Sequence, residues 1–278
     1  MDTRFWGPSG WRLLHLVAHA APSLPATPLN DFFSNLPYVL PCKFCRASLT
    51  DYYAADPIPE KLANYAHWLY RIHNRVNGKL RDQKLLKTAD PSWETVQKRY
   101  KDWLATPCVK RRMVGWDFLF SVAYTTPCPT VQTAPMAGAP PISALTTPQL
   151  RNRWAVISHE ERLSYMAAWW SALPKVLPFK TWRDAWGRVV PSAPSLQKGR
   201  KAITAWLYAA EKEMCTALKE NLPHDSFTGL CTELSTFSSG CGSKRSKRVK
   251  TCRSKKSIAR KTLKTRRVKR YKAVGGFL

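Results

Sequence analysis

No run in the 278 residues approaches the roughly 20 consecutive apolar positions that a bilayer-spanning helix needs, so no membrane partner is expected. The opening residues, Met1-Asp2-Thr3-Arg4-Phe5-Trp6, lack the basic-then-apolar layout of a secretory signal, and the expected location is cytoplasmic or nuclear. Ordinary disulfides are rare there. No stretch alternates apolar and polar residues as a half-buried strand does, which removes sheet architectures. Acidic residues are scarce, 18 against 45 Lys and Arg, for a net charge of +27. They are missing altogether from residues 234–278, where 16 Lys and Arg leave +11 for the rest of the chain. Cysteine is present eight times, at 42, 45, 108, 128, 215, 231, 241 and 252, but only the first two have a spacing with chemical meaning of its own. One such pair is half a zinc site at most, and no metal is expected.

What the chain does have is apolar and aromatic mass. Hydrophobic residues make up 44%, with twelve Trp, enough for real cores. Helical periodicity runs through residues 9–21, with Trp11, Leu14, His15 and Ala18 on one face, and through 31–40, with Pro37 as a kink or break. It continues through 42–53, through 60–80 (Leu62, Tyr65, Leu69, Ile72, His73, Val76 and Leu80) and through 92–104 (Trp93, Val96, Tyr100 and Trp103). Prolines punctuate the connections. Short helices joined by short loops predict an all-α bundle of four or five helices.

The chain also repeats itself. Residues 10–22 read GWRLLHLVAHAAP and 115–127 read GWDFLFSVAYTTP. Residues 32–46 read FFSNLPYVLPCKFCR and 169–183 read WWSALPKVLPFKTWR. Trp68-Leu69-Tyr70 recurs as Trp206-Leu207-Tyr208. Three collinear matches, offset by 105, 137 and 138 residues, indicate an internal duplication. The second copy keeps the frame and drops the chemistry. Cys42 becomes Phe179 and Cys45 becomes Trp182. His15 becomes Phe120, while His73, Asn74 and Asn77 become Glu211, Lys212 and Cys215. Residues that the fold can do without are the ones to suspect of function.

Cys42 and Cys45 lie one helical turn apart, directly after Pro41, which suits a helix start. There the helix dipole favours a thiolate. On the fourth helix, Tyr70, Asn74 and Asn77 stand at i, i+4 and i+7 with His73 alongside. Trp11 and His15 form a second polar and aromatic pair. Buried polar groups need partners, and a large, polar, aromatic cofactor would provide them.

These residues resemble the Erv/ALR family of FAD-linked sulfhydryl oxidases. The matching pieces are Trp11-x-x-Leu14-His15, Pro41-Cys42-x-x-Cys45, and Trp68-Leu69-Tyr70-x-x-His73-Asn74-x-Val76-Asn77-x-Lys79-Leu80, in family order, over about residues 4–105. The resemblance implies an FAD-binding domain at 1–106 with Cys42 and Cys45 catalytic. Trp11, His15, Tyr70, His73, Asn74, Val76, Asn77, Lys79 and Trp93 would surround the cofactor. It implies thiol oxidase activity: electrons pass from protein dithiols, or a thioredoxin-like carrier, through Cys42–Cys45 to FAD and on to O2, giving H2O2. Cys42 would meet incoming thiols and Cys45 would face the flavin. Where the family often has His or Asp three residues after the second cysteine, this chain has Ser48. A degenerate second copy, residues 107–222, would pack on the first as an internal pseudo-dimer, as in large-DNA-virus enzymes of the family, with a further homodimer open. Such an enzyme would work in host cytoplasm, virus factory or virion.

Residues 223–278 read as a disordered basic tail. Its block at 244–272 would bind nucleic acid or another polyanion, or direct the chain to the nucleus. Cys241 and Cys252 could shuttle electrons to the active pair. Two other readings stand beside the oxidase: a flavin-free Cys-x-x-Cys protein that only exchanges disulfides, and a nucleic-acid-binding structural protein with a vestigial oxidase domain.

Overall fold

The structure, a computed structural model, describes residues 1–107, 109–127, 134–193 and 195–238. Among the described residues there are twelve α-helices and no strand, as the missing alternation requires. The first half comprises α1 (Thr3–Ala20), α2 (Ala26–Ser34), α3 (Leu36–Val39), α4 (Lys43–Ala55), α5 (Tyr65–Asp82) and α6 (Trp93–Ala105). The second comprises α7 (Trp116–Tyr124), α8 (Pro148–Arg153), α9 (His159–Val176), α10 (Lys180–Val189), α11 (Gly199–Leu218) and α12 (Phe227–Thr236).

Local chemistry explains where the boundaries depart from periodicity alone. The first helix begins at Thr3, ahead of the expected residue 9, because Asp2 caps it through Arg4 N–H and because Phe5 and Trp6 are buried. Their burial outweighs the hydrogen bond lost at Pro8. The expected helix at 31–40 is two helices. Asn35 separates α2 from α3, and Pro37 falls in the first turn of α3, where its missing N–H is harmless. The long helix expected from residue 60 opens as a single 3-10 turn, Leu62–Asn64, before α5. The basic tail starts later than expected: Phe227–Thr236 is a helix with Leu230 and Leu234 buried. Phe237 then stacks on Phe5 at 4.2 Å, and its carbonyl accepts from Asp2 N–H. Cys231 lies on this helix. Cys108, Cys128, Cys241, Cys252 and the 244–272 block lie outside the described residues.

The repeated sequences make repeated contacts. Phe33 meets Trp68 edge to face at 5.6 Å and 88°, and their counterparts Trp170 and Trp206 meet at 5.5 Å and 90°. Arg46 Nη1 donates to Leu40 O at 3.1 Å, and Arg183 Nη1 donates to Leu177 O, with the same six-residue separation. Cys42 caps α4 in an extended conformation, and Phe179 caps α10 in the same way.

The two halves share one apolar core, and they meet through corresponding helices. α1 packs on α7, and α2 packs on α9. The contacts are reciprocal. A Cβ on Gly10 would come 3.1 Å from Phe118, and one on Gly115 would come 2.8 Å from Leu13; Gly10 corresponds to Gly115, and Leu13 to Phe118. Glycine at both places lets the two helices approach. Such self-complementary contact is what a two-fold interface produces. The segment between α7 and α9 adds a one-sided contact. α8 packs on α4, where Asn152 Nδ2 donates to Pro37 O (3.1 Å) and Thr50 Oγ1 (3.0 Å), and Arg153 pairs with Asp51 at 2.6 Å.

Candidate functional site

Two groups of side chains in the first half carry chemistry, and α5 joins them. The first is a cluster of rings between α1, α5 and α6. Trp11, His15 and His19 recur at every fourth residue of α1 and so share a face. Trp11 stacks on His73 of α5 with centroids 3.8 Å apart. His15 lies 3.0 Å from His73, Nε2 to Nδ1, so one neutral ring donates to the other. The other face of His15 stacks on Tyr100 of α6 at 4.8 Å. His19 packs between Tyr100 and Trp93. Tyr70 donates its hydroxyl to Pro91 O and lies 5.5 Å from Trp93. Asn77 donates to Asp90 at 2.7 Å, and Asp90 also pairs with Arg81 at 2.6 Å, whose hydrogen bond holds the carboxyl below its ordinary range.

Burial keeps the imidazoles neutral. It pushes His15 well below the ordinary histidine value, aided by its neighbours His73 and His19. It lowers His73 to about 4, against a weaker upward pull from Asp90. His19 is lowered as well, again by burial. Two buried nitrogens of this cluster, His15 Nδ1 and His19 Nε2, have no partner. Unmet buried polar atoms cost roughly 1–3 kcal/mol each, and they mark a place built to meet a ligand's polar edge. A cleft of about 440 Å³ opens at His19, bounded by Leu104 and Lys110 and by Phe179–Thr181 of the second half.

The second group is the thiol pair. Cys42 is the N-cap of α4 and accepts from Arg46 N–H at 2.9 Å, and Cys45 sits one turn on; both are half-buried against the core. Phe44, between them, is half exposed. Lys79 of α5 donates to Ser48 of α4 at 2.6 Å, one turn beyond Cys45. Thus α5 contributes His73 to the rings and Lys79 to the thiol helix.

Of the residues expected around a cofactor, Trp11, His15, His73, Tyr70 and Trp93 come together, and Asn77 joins them through Asp90 and Pro91. Asn74 and Val76 lie half-buried on the same helix, while Lys79 is turned to Ser48. The sequence reading missed His19, Tyr100 and Arg46. His19 carried a signal in its four-residue spacing from His15. Tyr100 stood on the apolar face of α6 and read as core.

The corresponding place in the second half is closed by the chain itself. His224 sits edge to face on Phe120, the counterpart of His15. Its ring lies 3.2 Å from Glu211, the counterpart of His73, and 3.1 Å from Glu233 of α12. The space left among Trp116, Glu211, Cys215 and His224 is about 30 Å³, room for a water rather than a cofactor.

Fold and site together define an all-helical dithiol protein with a buried cluster of imidazole and indole rings in one half only. Residues 8–101 match the Erv1 / Alr family. It is 31% identical over 121 residues to the mitochondrial FAD-linked sulfhydryl oxidase ERV1 of Saccharomyces cerevisiae, covering 42% of this chain and 54% of the yeast protein. It is 28% identical over 101 residues to FAD-linked sulfhydryl oxidases from two isolates of African swine fever virus, covering 34% of this chain and 80% of each viral protein. The chain thus spans about half the length of the yeast relative. No solved structure matches it. No helix among the described residues is long and apolar enough to cross a membrane.

Proposed function

We propose that this chain is an FAD-dependent thiol oxidase that forms disulfides in protein substrates. One observation carries the reading: a buried ring cluster with two unmet imidazole nitrogens is joined by a single helix to a thiol pair at a helix start. The family of residues 8–101 and the names of its relatives favour the same reading. The donor set suits a flavin, since indole and imidazole faces stack on a fused aromatic ring and imidazole and amide groups meet its polar edge. Trp11, His15, His73 and Asn77 would hold it, with Tyr70 and Trp93 beside them. When bound, FAD would supply two-electron acceptance from a dithiol and reoxidation by O2, with H2O2 as product.

The chain's own residues prepare the thiol step. The start of α4 favours a thiolate at Cys42. An incoming substrate thiolate attacks Cys42 Sγ, the Cys42–Cys45 bond breaks, and Cys45 leaves with the bonding electron pair. A second substrate thiolate then displaces Cys42, leaving both site sulfurs reduced and the substrate as a disulfide. Residues 107–222 act as a degenerate copy that covers the first domain's α1 and α2 face as a subunit partner would. The 244–272 block serves as a polyanion-binding arm.

Purified protein tests this directly. A yellow preparation that releases FAD on denaturation, and oxygen uptake with dithiothreitol that Cys45→Ser abolishes, are the expected results. A colourless preparation that still exchanges disulfides establishes the flavin-free reading instead.

A further inference from the structure

One buried arginine from each half holds the approach to the thiol pair. Arg46 is 5% exposed and Arg162, on α9, is 6% exposed. Both grip the short segment that leads into Cys42. Arg46 Nη1 donates to Leu40 O at 3.1 Å, and Arg162 Nε donates to Tyr38 O at 2.8 Å across 124 residues of chain. Each keeps one buried donor with no partner, Arg46 Nε and Arg162 Nη2. Among the described residues neither is in an ion pair with a carboxylate. Two like charges buried together without an anion are costly. Burial lowers both, and Arg46 in turn disfavours the charge on Arg162, while Cys42 and Cys45 favour the charge on Arg46.

The repeat separates the structural part of this arrangement from the rest. Arg46 has a counterpart, Arg183, which makes the same carbonyl bond in a half without the cysteines. That bond therefore belongs to the frame. At the same offset the counterpart of Arg162 is Pro25, which has no side-chain donor. The second grip, with its added positive charge, exists only on the side that has the thiols.

We propose that Arg162, contributed by the second half, is a positioning residue for the thiol pair: with Arg46 it makes a buried cationic clamp that stabilises the thiolate released when the Cys42–Cys45 disulfide is opened. This rests on the reading of Cys42 and Cys45 as the redox pair. In that step the substrate thiolate forms a new S–S bond with Cys42, the Cys42–Cys45 bond breaks, and its electron pair leaves on Cys45, the residue that precedes Arg46 in the chain. Other ionisable groups around the pair bear on it less directly. Lys43 donates to Ala134 O, Lys79 donates to Ser48, Tyr52 is on α4 itself, and Arg75 and Asp82 on α5 carry opposite charges. The second half thus does more than cover the first.

The test is the pH profile of alkylation of the fully reduced, full-length protein by iodoacetamide, with Cys42 and Cys45 followed separately by peptide mass spectrometry. It does not depend on flavin or oxygen, so it fails independently of the oxidase reading. In the wild type one of the two thiols is expected to titrate at least about one unit below the ordinary value near 8.5. Arg162→Met is expected to raise that value by about one unit, slowing alkylation at pH 6 close to tenfold. Arg162→Lys, which keeps the charge, is expected to retain most of the lowering. A wild-type value at the ordinary thiol pKa overturns the proposal whatever the variants do. So does a folded Arg162→Met with an unshifted profile or, should that variant not fold, an Arg162→Lys protein titrating at the ordinary value.

Discussion

Phe32 and Trp169 stack with their rings 5.2 Å apart and 21° from parallel, and they are the same position in the two copies of the repeat. Both are fully buried. The pair sits where α2 and α9 cross, so it belongs to neither half alone. Phe32→Ala and Trp169→Ala are each expected to cost about 3–5 kcal/mol. Their combination is expected to cost less than the sum, because each single change already loses the shared contact. Urea unfolding of the four proteins measures this. A separate, unaffected transition for one half would show that the halves fold independently.

Gly115 starts α7 with φ of 101°, and a Cβ there would meet Leu13 at 2.8 Å. Gly10 is helical and has slightly more room, 3.1 Å from Phe118. Gly115→Ala therefore combines backbone strain with overpacking and is expected to cost about 2–4 kcal/mol. Gly10→Ala, which only overpacks, is expected to cost about 1–2 kcal/mol. Thermal melts of the two variants should rank them in that order.

The ring cluster should be acid-labile. His15 and His73 are held neutral by burial, His73 down to about 4, whereas the unfolded chain takes up protons near 6.5. The unfolded state binds more protons as pH falls, so this stability is present above pH 6.5 and is lost progressively toward pH 4. The melting temperature is expected to fall over that window, and His73→Gln should flatten the decline.

The closed place in the second half should behave in the opposite sense. Burial pulls His224 down, but the Glu211 and Glu233 carboxylates more than offset it and raise the ring to about 9. A raised value gives stability that is full below pH 6.5 and disappears as pH rises through 9, with a magnitude on the order of 3 kcal/mol. His224→Gln is expected to lower stability at pH 7 and to remove the alkaline decline, which melts between pH 6 and 10 would record.

The basic block is testable by subtraction. A chain ending at Ser238 keeps α12 and loses 16 positive charges. Binding of the full chain to duplex DNA is expected to weaken steeply with salt, and the shortened chain is expected to lose most of that dependence. An unchanged salt slope would place the polyanion contact in the folded part.

The sequence by itself determined the helical class, the duplication and the thiol pair. Each is written in local or periodic signals: apolar spacing, recurring Gly-Trp and Leu-Pro frames, and a Pro-Cys-x-x-Cys turn. It also singled out His15 and His73, because the second copy had replaced both histidines while keeping its frame. It could not place helix ends that tertiary burial decides, such as the Phe5 and Trp6 turn ahead of Pro8. Nor could it show that a segment counted as tail folds back to bury Leu230 and Leu234. Only the tertiary structure decided that Tyr100 stacks on His15, that His224 fills the second half's centre, and that Arg162 reaches Tyr38. Those are contacts between distant residues, fixed by how buried faces and buried charges find partners, and no local pattern in the chain encodes them.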